Sequence, residues 1–84
     1  MTVRILFFAR AKELAGTDCA VLEIPTGARL SQVRQEVARR FPALAEFLPR
    51  CQWAVHDVLA SDDTVIPAEA TLAVLPPVSG GSSS

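Results

Sequence analysis

The sequence predicts an α+β fold, one mixed β-sheet wrapped over a single main helix. Three observations predict it. The chain has 84 residues, 50% of them hydrophobic, which is enough for one core and too little for a second domain. Apolar residues recur at Leu30, Val33, Val37 and Phe41, spacings of three and four that line one side of an α-helix. Short β-branched and aromatic runs flank that stretch, two before it and two or three after it.

The first run, residues 2–10, puts Val3, Ile5 and Phe7 on one face of a strand. Its other face reads Arg4, Leu6, Phe8, polar at first and then strongly apolar, unlike a plainly solvated face. Residues 11–15 make one or two helical turns, stopped by Gly16. A second strand over residues 18–24 has Ala20, Leu22 and Ile24 on one face and Glu23 on the other. Pro25, Thr26 and Gly27 punctuate the chain before the main helix, residues 30–41, whose outer side carries Arg34, Gln35, Arg39 and Arg40. Pro42 ends that helix by pushing Phe41 out of the αR region. At its start Arg29 stands where a Ser, Thr or Asp cap would be expected. Residues 43–48 add a short helical turn closed by Pro49.

Beyond it, Gln52–Val55 is a short strand holding Trp53 and Val55, followed by Val58, Leu59 and Ala60 and a polar break at Ser61, Asp62 and Asp63. Thr71–Leu75 is the last strand, with Leu72 and Val74 on one face and Ala73 and Leu75 on the other. This order in so short a chain favours a roll of the β-grasp type, with the first and last strands side by side in its centre. If those strands pair, Leu6, Phe8 and Leu75 form a contiguous apolar patch. Such a patch reads as a docking surface, the alternative being a second small core under a loop.

Composition narrows the function. Eight Lys+Arg against nine Asp+Glu give a net charge of -1, which argues against nucleic acid as a partner. The arginines between Arg29 and Arg50 are interleaved with Glu36 and Glu46, the pattern of a solvated helix face. The longest apolar run, residues 5–9, is far too short to span a bilayer and no signal segment opens the chain, so a cytoplasmic protein without membrane contact is expected. The inventory of one His, two Cys, one Lys and no Tyr leaves almost nothing from which to build a metal site or a nucleophile–base pair. Cys19 and Cys51 are in no metal-ligand spacing and read as apolar filler, and His56 as a polar strand-end residue. Catalysis by this chain on its own is not expected.

Low-complexity sequence occurs only at the end, where Pro76, Pro77, Val78, Ser79, Gly80 and Gly81 precede Ser82, Ser83 and Ser84. Two prolines cannot continue a central strand, so residues 1–75 form the domain, 76–81 a flexible arm and 82–84 an extension. Extended, the six residues of the arm reach on the order of 20 Å. Taken together, the opening run Val3 to Arg10, the following Lys12, Glu13, Leu14, Ala15 and Gly16, and above all the Leu75-Pro-Pro-Val-Ser-Gly-Gly81 ending resemble the small sulfur-carrying subunits of molybdopterin synthase. These form the MoaD family of the ubiquitin-like β-grasp superfamily. The sequence is also similar to the thiamin-pathway sulfur carriers, which lack the Phe-Phe-Ala opening and the double proline.

The resemblance implies that the reactive group is the main-chain carboxylate of Gly81, with Gly80 beside it. A ubiquitin-activating-type adenylyltransferase would use ATP to form an acyl adenylate there, and sulfur would displace AMP to leave a thiocarboxylate. The arm would then enter the large subunit of the synthase, within a heterotetramer, and donate sulfur to cyclic pyranopterin monophosphate in molybdenum cofactor biosynthesis. Partner-facing residues are implied at Phe8, Leu59 and Leu75, with Pro76, Pro77 and Val78 at the root of the arm. No permanently bound cofactor and no metal are implied. A ubiquitin-like modifier joined through Gly81 to lysines of targets, a carrier for the thiamin or a tungsten cofactor, and an interaction module with an inert tail are the competing readings.

Three departures from the family stand out. His56 replaces a common Asn, and Glu69 with Ala70 replaces Gly-Asp before the last strand, which predicts a turn of different geometry. Ser82 to Ser84 hold Gly81 in a peptide bond, so no carboxylate is free to be adenylated. An expression scar, a precursor trimmed after Gly81, or the remnant of a longer fusion would each account for them.

Overall fold

The computed structural model describes residues 1–77. Strands β1 (Thr2–Phe7), β2 (Cys19–Glu23), β3 (Gln52–Val55), β4 (Val58–Ala60) and β5 (Thr71–Leu75) form one sheet in the order β2-β1-β5-β3-β4. The two central strands, β1 and β5, run parallel, and every other pairing is antiparallel. Helix α1 (Ala9–Ala15) follows β1 directly, and the main helix α2 (Leu30–Arg40) crosses over the sheet between β2 and β3. This is the anticipated β-grasp arrangement.

The period-two pattern of β1 is realised in full: Val3, Ile5 and Phe7 are buried while Thr2 and Arg4 are exposed. They join Leu22, Leu72 and Val74 from the sheet and Leu30, Val33 and Val37 from α2 in one core. Each such aliphatic side chain contributes roughly 1.5–3 kcal/mol by leaving water. Phe7 and Phe41 meet edge to face, ring centroids 5.3 Å apart at 74°, which ties the end of β1 to the end of α2.

Several boundaries differ from the sequence expectation for identifiable reasons. β1 ends at Phe7 rather than at Arg10, because Ala9 takes a left-handed φ of 50° and turns the chain into α1. That helix stops where expected, at Gly16, whose φ of 76° lets its N–H reach the Lys12 carbonyl at 3.0 Å. The segment after α2 is not one helical turn closed by Pro49 but two 3-10 turns, Pro42–Leu44 and Leu48–Arg50, the second containing Pro49.

The missing cap at Arg29 is supplied from elsewhere. An arginine side chain has no acceptor, so Arg29 caps nothing itself. Instead Gln32 reaches back so that its Oε1 accepts from the Arg29 N–H at 2.9 Å. The first helical N–H groups, of Leu30 and Ser31, donate to the carbonyls of Thr64 and Asp62 at 2.9 and 3.1 Å. The Arg29 Nη1 donates to the Asp63 carbonyl at 2.8 Å and Arg34 pairs with Asp62 at 2.9 Å, so the polar break is clipped to the start of α2.

Candidate functional site

With Ile5 and Leu72 turned into the core, the alternation of the sheet sends Leu6 and Ala73 to the opposite face, away from α2. The registers then draw a continuous row across all five strands. Cys19 pairs with Leu6, Leu6 with Ala73, Ala73 with Ala54, and Ala54 with Leu59. One step beyond the last β1–β5 pair, Phe7 with Val74, come Phe8 and Leu75. Phe8 has left the strand, yet its φ of -124° and ψ of 151° keep it extended, so its ring continues the outer face.

This face is open to solvent on the side away from α2. Phe8 is 45% exposed and Leu59 61%, with Leu6, Ala73 and Leu75 half-buried and Ala54, flanked by its neighbours in the row, buried. Among the described residues no loop closes over them, so the patch is a surface and not a second core. A shallow hollow of about 420 Å³ lies at its β1–β2 edge, where Leu6, Phe8, Lys12, Asp18 and Cys19 meet. A contiguous apolar area of this kind on a small chain is suited to contact with another molecule.

Sequence reasoning placed Leu6, Phe8 and Leu75 on this face and left Leu59 to the resemblance. The structure brings Leu59 to the same face by the β3–β4 ladder. The signal was available: only His56 and Asp57 separate Val55 from Val58, and a two-residue hairpin pairs Ala54 with Leu59. His56 is not a strand-end residue but the first central residue of that turn, with φ of 50°, followed by Asp57 at 68°. Positive φ at both positions is the type I′ geometry. Glu69 likewise adopts φ of 56°, so the turn before β5 holds a left-handed position without a glycine.

The root of the arm adjoins the apolar row. Leu75 ends β5, Pro76 is half-buried and Pro77 exposed, and neither proline has an N–H to extend the ladder. Val78, Gly80, Gly81 and Ser82 to Ser84, together with the expected flexibility of the arm, lie outside the described residues. Among the described residues no three His, Cys, Asp or Glu side chains come together as a metal site, and no helix is long and apolar enough to cross a membrane. Cys19 is exposed on the apolar row, whereas burial pushes the Cys51 thiol above its ordinary pKa, with its Sγ 3.5 Å from the Phe47 carbonyl. What the described surface offers is binding.

A family model described as the ThiS family matches residues 5–81. The chain belongs to the ThiS family. The ThiS match takes in the apolar row and the Gly-Gly together and stops before Ser82. Among curated relatives, the molybdopterin synthase sulfur carrier subunit of Arabidopsis thaliana is 32% identical over 79 residues, 94% of this chain and 82% of that protein. Solved structures agree on the fold of this ThiS-family chain. SAMP1 from Haloferax volcanii superposes with a TM-score of 0.89 at 21% identity, covering 96% of this chain and all of that one. A chain from the complex of subunits 1 and 2 of the molybdopterin-converting factor of Helicobacter pylori 26695 does so with a TM-score of 0.70 at 23% identity, covering 96% and 100%.

Proposed function

We propose that this protein is the sulfur-carrier subunit of a molybdopterin synthase, a cytoplasmic chain that is not an enzyme alone. The observation that carries the reading is the continuity of the outer-face row Leu6–Ala73–Ala54–Leu59 with Leu75, at the root of the arm that leads to Gly81. A large subunit seated on that row would receive the arm directly. The curated relative named as such a carrier supports the pathway, and the Helicobacter pylori complex supports a two-subunit assembly for that relative's fold.

In this reading Gly81 is the working residue, after removal of Ser82 to Ser84. Its carboxylate attacks the α-phosphate of ATP on an adenylyltransferase, pyrophosphate leaves, and a sulfur nucleophile then displaces AMP to give the thiocarboxylate. The protein binds no cofactor of its own, and ATP belongs to the activating enzyme. Gly80 and Gly81, lacking Cβ atoms, suit passage through a narrow channel. Pro76 and Pro77 restrict the arm's root and lower the cost of ordering it on insertion, with Val78 as the side chain that follows them. Phe8, Leu59 and Leu75 seat the large subunit.

The test is intact mass of a form ending at Gly81, incubated with adenylyltransferase, ATP and a sulfur donor. The mass is expected to rise by the difference between sulfur and oxygen, and the 84-residue form to stay unchanged until its serines are removed. An unchanged Gly81-ended form would overturn the proposal. Higher-mass conjugates that survive thiol treatment would favour a protein modifier instead.

A further inference from the structure

The outer face of the sheet is not uniformly apolar. One step below the row through Leu6, the ladders place Val21 opposite Arg4 and Arg4 opposite Thr71. Val21 is 54% exposed, so the apolar area continues on the β2 side of Arg4. The guanidinium thus stands at the border of the apolar patch, on a rigid central strand and not on a loop.

Two carboxylates lie on neighbouring positions, and among the described residues neither pairs with it. Glu23, on the same face, accepts a hydrogen bond from the Thr2 hydroxyl and lies 4.0 Å from the terminal amine of Met1. Glu69 lines the same shallow hollow as Arg4, with Thr2 and Thr71, yet forms no ion pair with it. Among the described residues Arg4 makes no ion pair and no side-chain hydrogen bond, whereas Arg10, Arg34 and Arg39 hold Glu13, Asp62 and Glu36; Arg40 and Arg50 are unpaired too, but they lie off the sheet, in α2 and the second 3-10 turn.

A charge that loses water when its surface is covered must be answered by the covering molecule, or the association pays its desolvation. We infer that Arg4 is the electrostatic anchor of the docking face, and that its partner, the large subunit of the proposed assembly, presents a carboxylate opposite it beside an apolar surface. The inference rests on the docking role proposed above and adds to it the chemistry of the partner. Arg4 supplies register and orientation, since a guanidinium takes a carboxylate through two parallel hydrogen bonds. Glu69 sits in the same hollow as a repelling charge, so it works against the partner's carboxylate.

Affinity and association rate for the purified cognate large subunit, at low and high salt, test this. Arg4→Glu should weaken binding roughly tenfold or more and Arg4→Gln less. Both should flatten the salt dependence, with circular dichroism and melting temperature unchanged because the side chain is exposed. Glu69→Gln should tighten binding at low salt. Wild-type affinity and salt dependence in Arg4→Glu, while Leu6→Asp abolishes binding, would overturn the anchor and leave the docking role intact. Weaker binding in Glu69→Gln would also overturn it, since Glu69 would then be Arg4's own counter-ion. Failure of the unaltered protein to bind at all would overturn the proposed function and this inference with it.

Discussion

Leu59 lies directly opposite Ala54 in the β3–β4 ladder, and that pairing carries it onto the same face as Leu6, three strands away. The hairpin that sets the pairing is only two residues long, so a slip of one residue would turn Leu59 inward and bring Val58 or Ala60 out. The most exposed leucine of the proposed docking face therefore owes its position to a turn at His56 and Asp57, at the far end of the sheet from the arm.

Leu59→Asp is expected to abolish binding to the large subunit without disturbing the fold. The side chain is 61% exposed and lies outside the buried core, so melting temperature should move by little. A carboxylate in the centre of a buried apolar contact costs far more there than in water. Pull-down and calorimetry with Leu59→Asp, Phe8→Asp and Leu75→Asp check this. Retention of binding in all three would remove the face from the interface.

How far the fold could be read from sequence varied with the range of the interaction. The bounds of β3 and β5 and the inward face of α2 were legible, because period two and period 3.6 are local signals. The end of β1 was not, since nothing in Phe8-Ala9-Arg10 announces that an alanine takes a left-handed φ. The start of α2 was legible only as an anomaly at Arg29, its carbonyl partners being more than thirty residues away at Asp62 and Thr64. The proposed docking face was legible for Leu6, Phe8 and Leu75, and Arg4 could be placed on it too. That Arg4 lacks a counter-ion among the described residues was not, because the hydrogen bond from Thr2 to Glu23 and the ion pair of Glu23 with the terminal amine of Met1 depend on three-dimensional neighbours.

Glu69→Gly should stabilise the protein by about 1 kcal/mol, because a non-glycine residue at φ of 56° carries a steric penalty that glycine does not. For a domain of this size that corresponds to a rise of roughly 4–8 °C in melting temperature. Thermal denaturation of the variant beside Glu69→Ala, which keeps the Cβ and should show no gain, separates the backbone effect from loss of the charge.

Phe7→Ala should cost about 3–5 kcal/mol, a large part of the stability of a domain this small, since the ring is buried and touches Phe41 edge to face. Phe41→Leu keeps most of the packing and should lose only the ring-pair component, about 0.5–1.5 kcal/mol. Urea unfolding of both and of the double variant gives the coupling, and a coupling energy near zero would deny the contact a role in joining β1 to α2.

The two thiols should separate by reactivity and by consequence. Cys19 is exposed on the apolar row, whereas burial raises the Cys51 pKa, so at a given pH less of Cys51 is thiolate and less of it is reachable. Alkylation at neutral pH is therefore expected at Cys19 first, and a bulky adduct there, across from Leu6, should weaken docking while leaving the fold intact. The sign of the pH effect follows from linkage: a thiol whose folded pKa lies above its unfolded value binds its proton more tightly in the native state. Its contribution to stability is complete below the unfolded pKa and is lost as pH rises through the folded one. Modification of Cys51 should accordingly wait for alkaline pH or denaturant. Peptide mapping after timed labelling checks the order, and Cys51 reacting as fast as Cys19 at neutral pH would mean that the segment between α2 and β3 opens readily in the native protein.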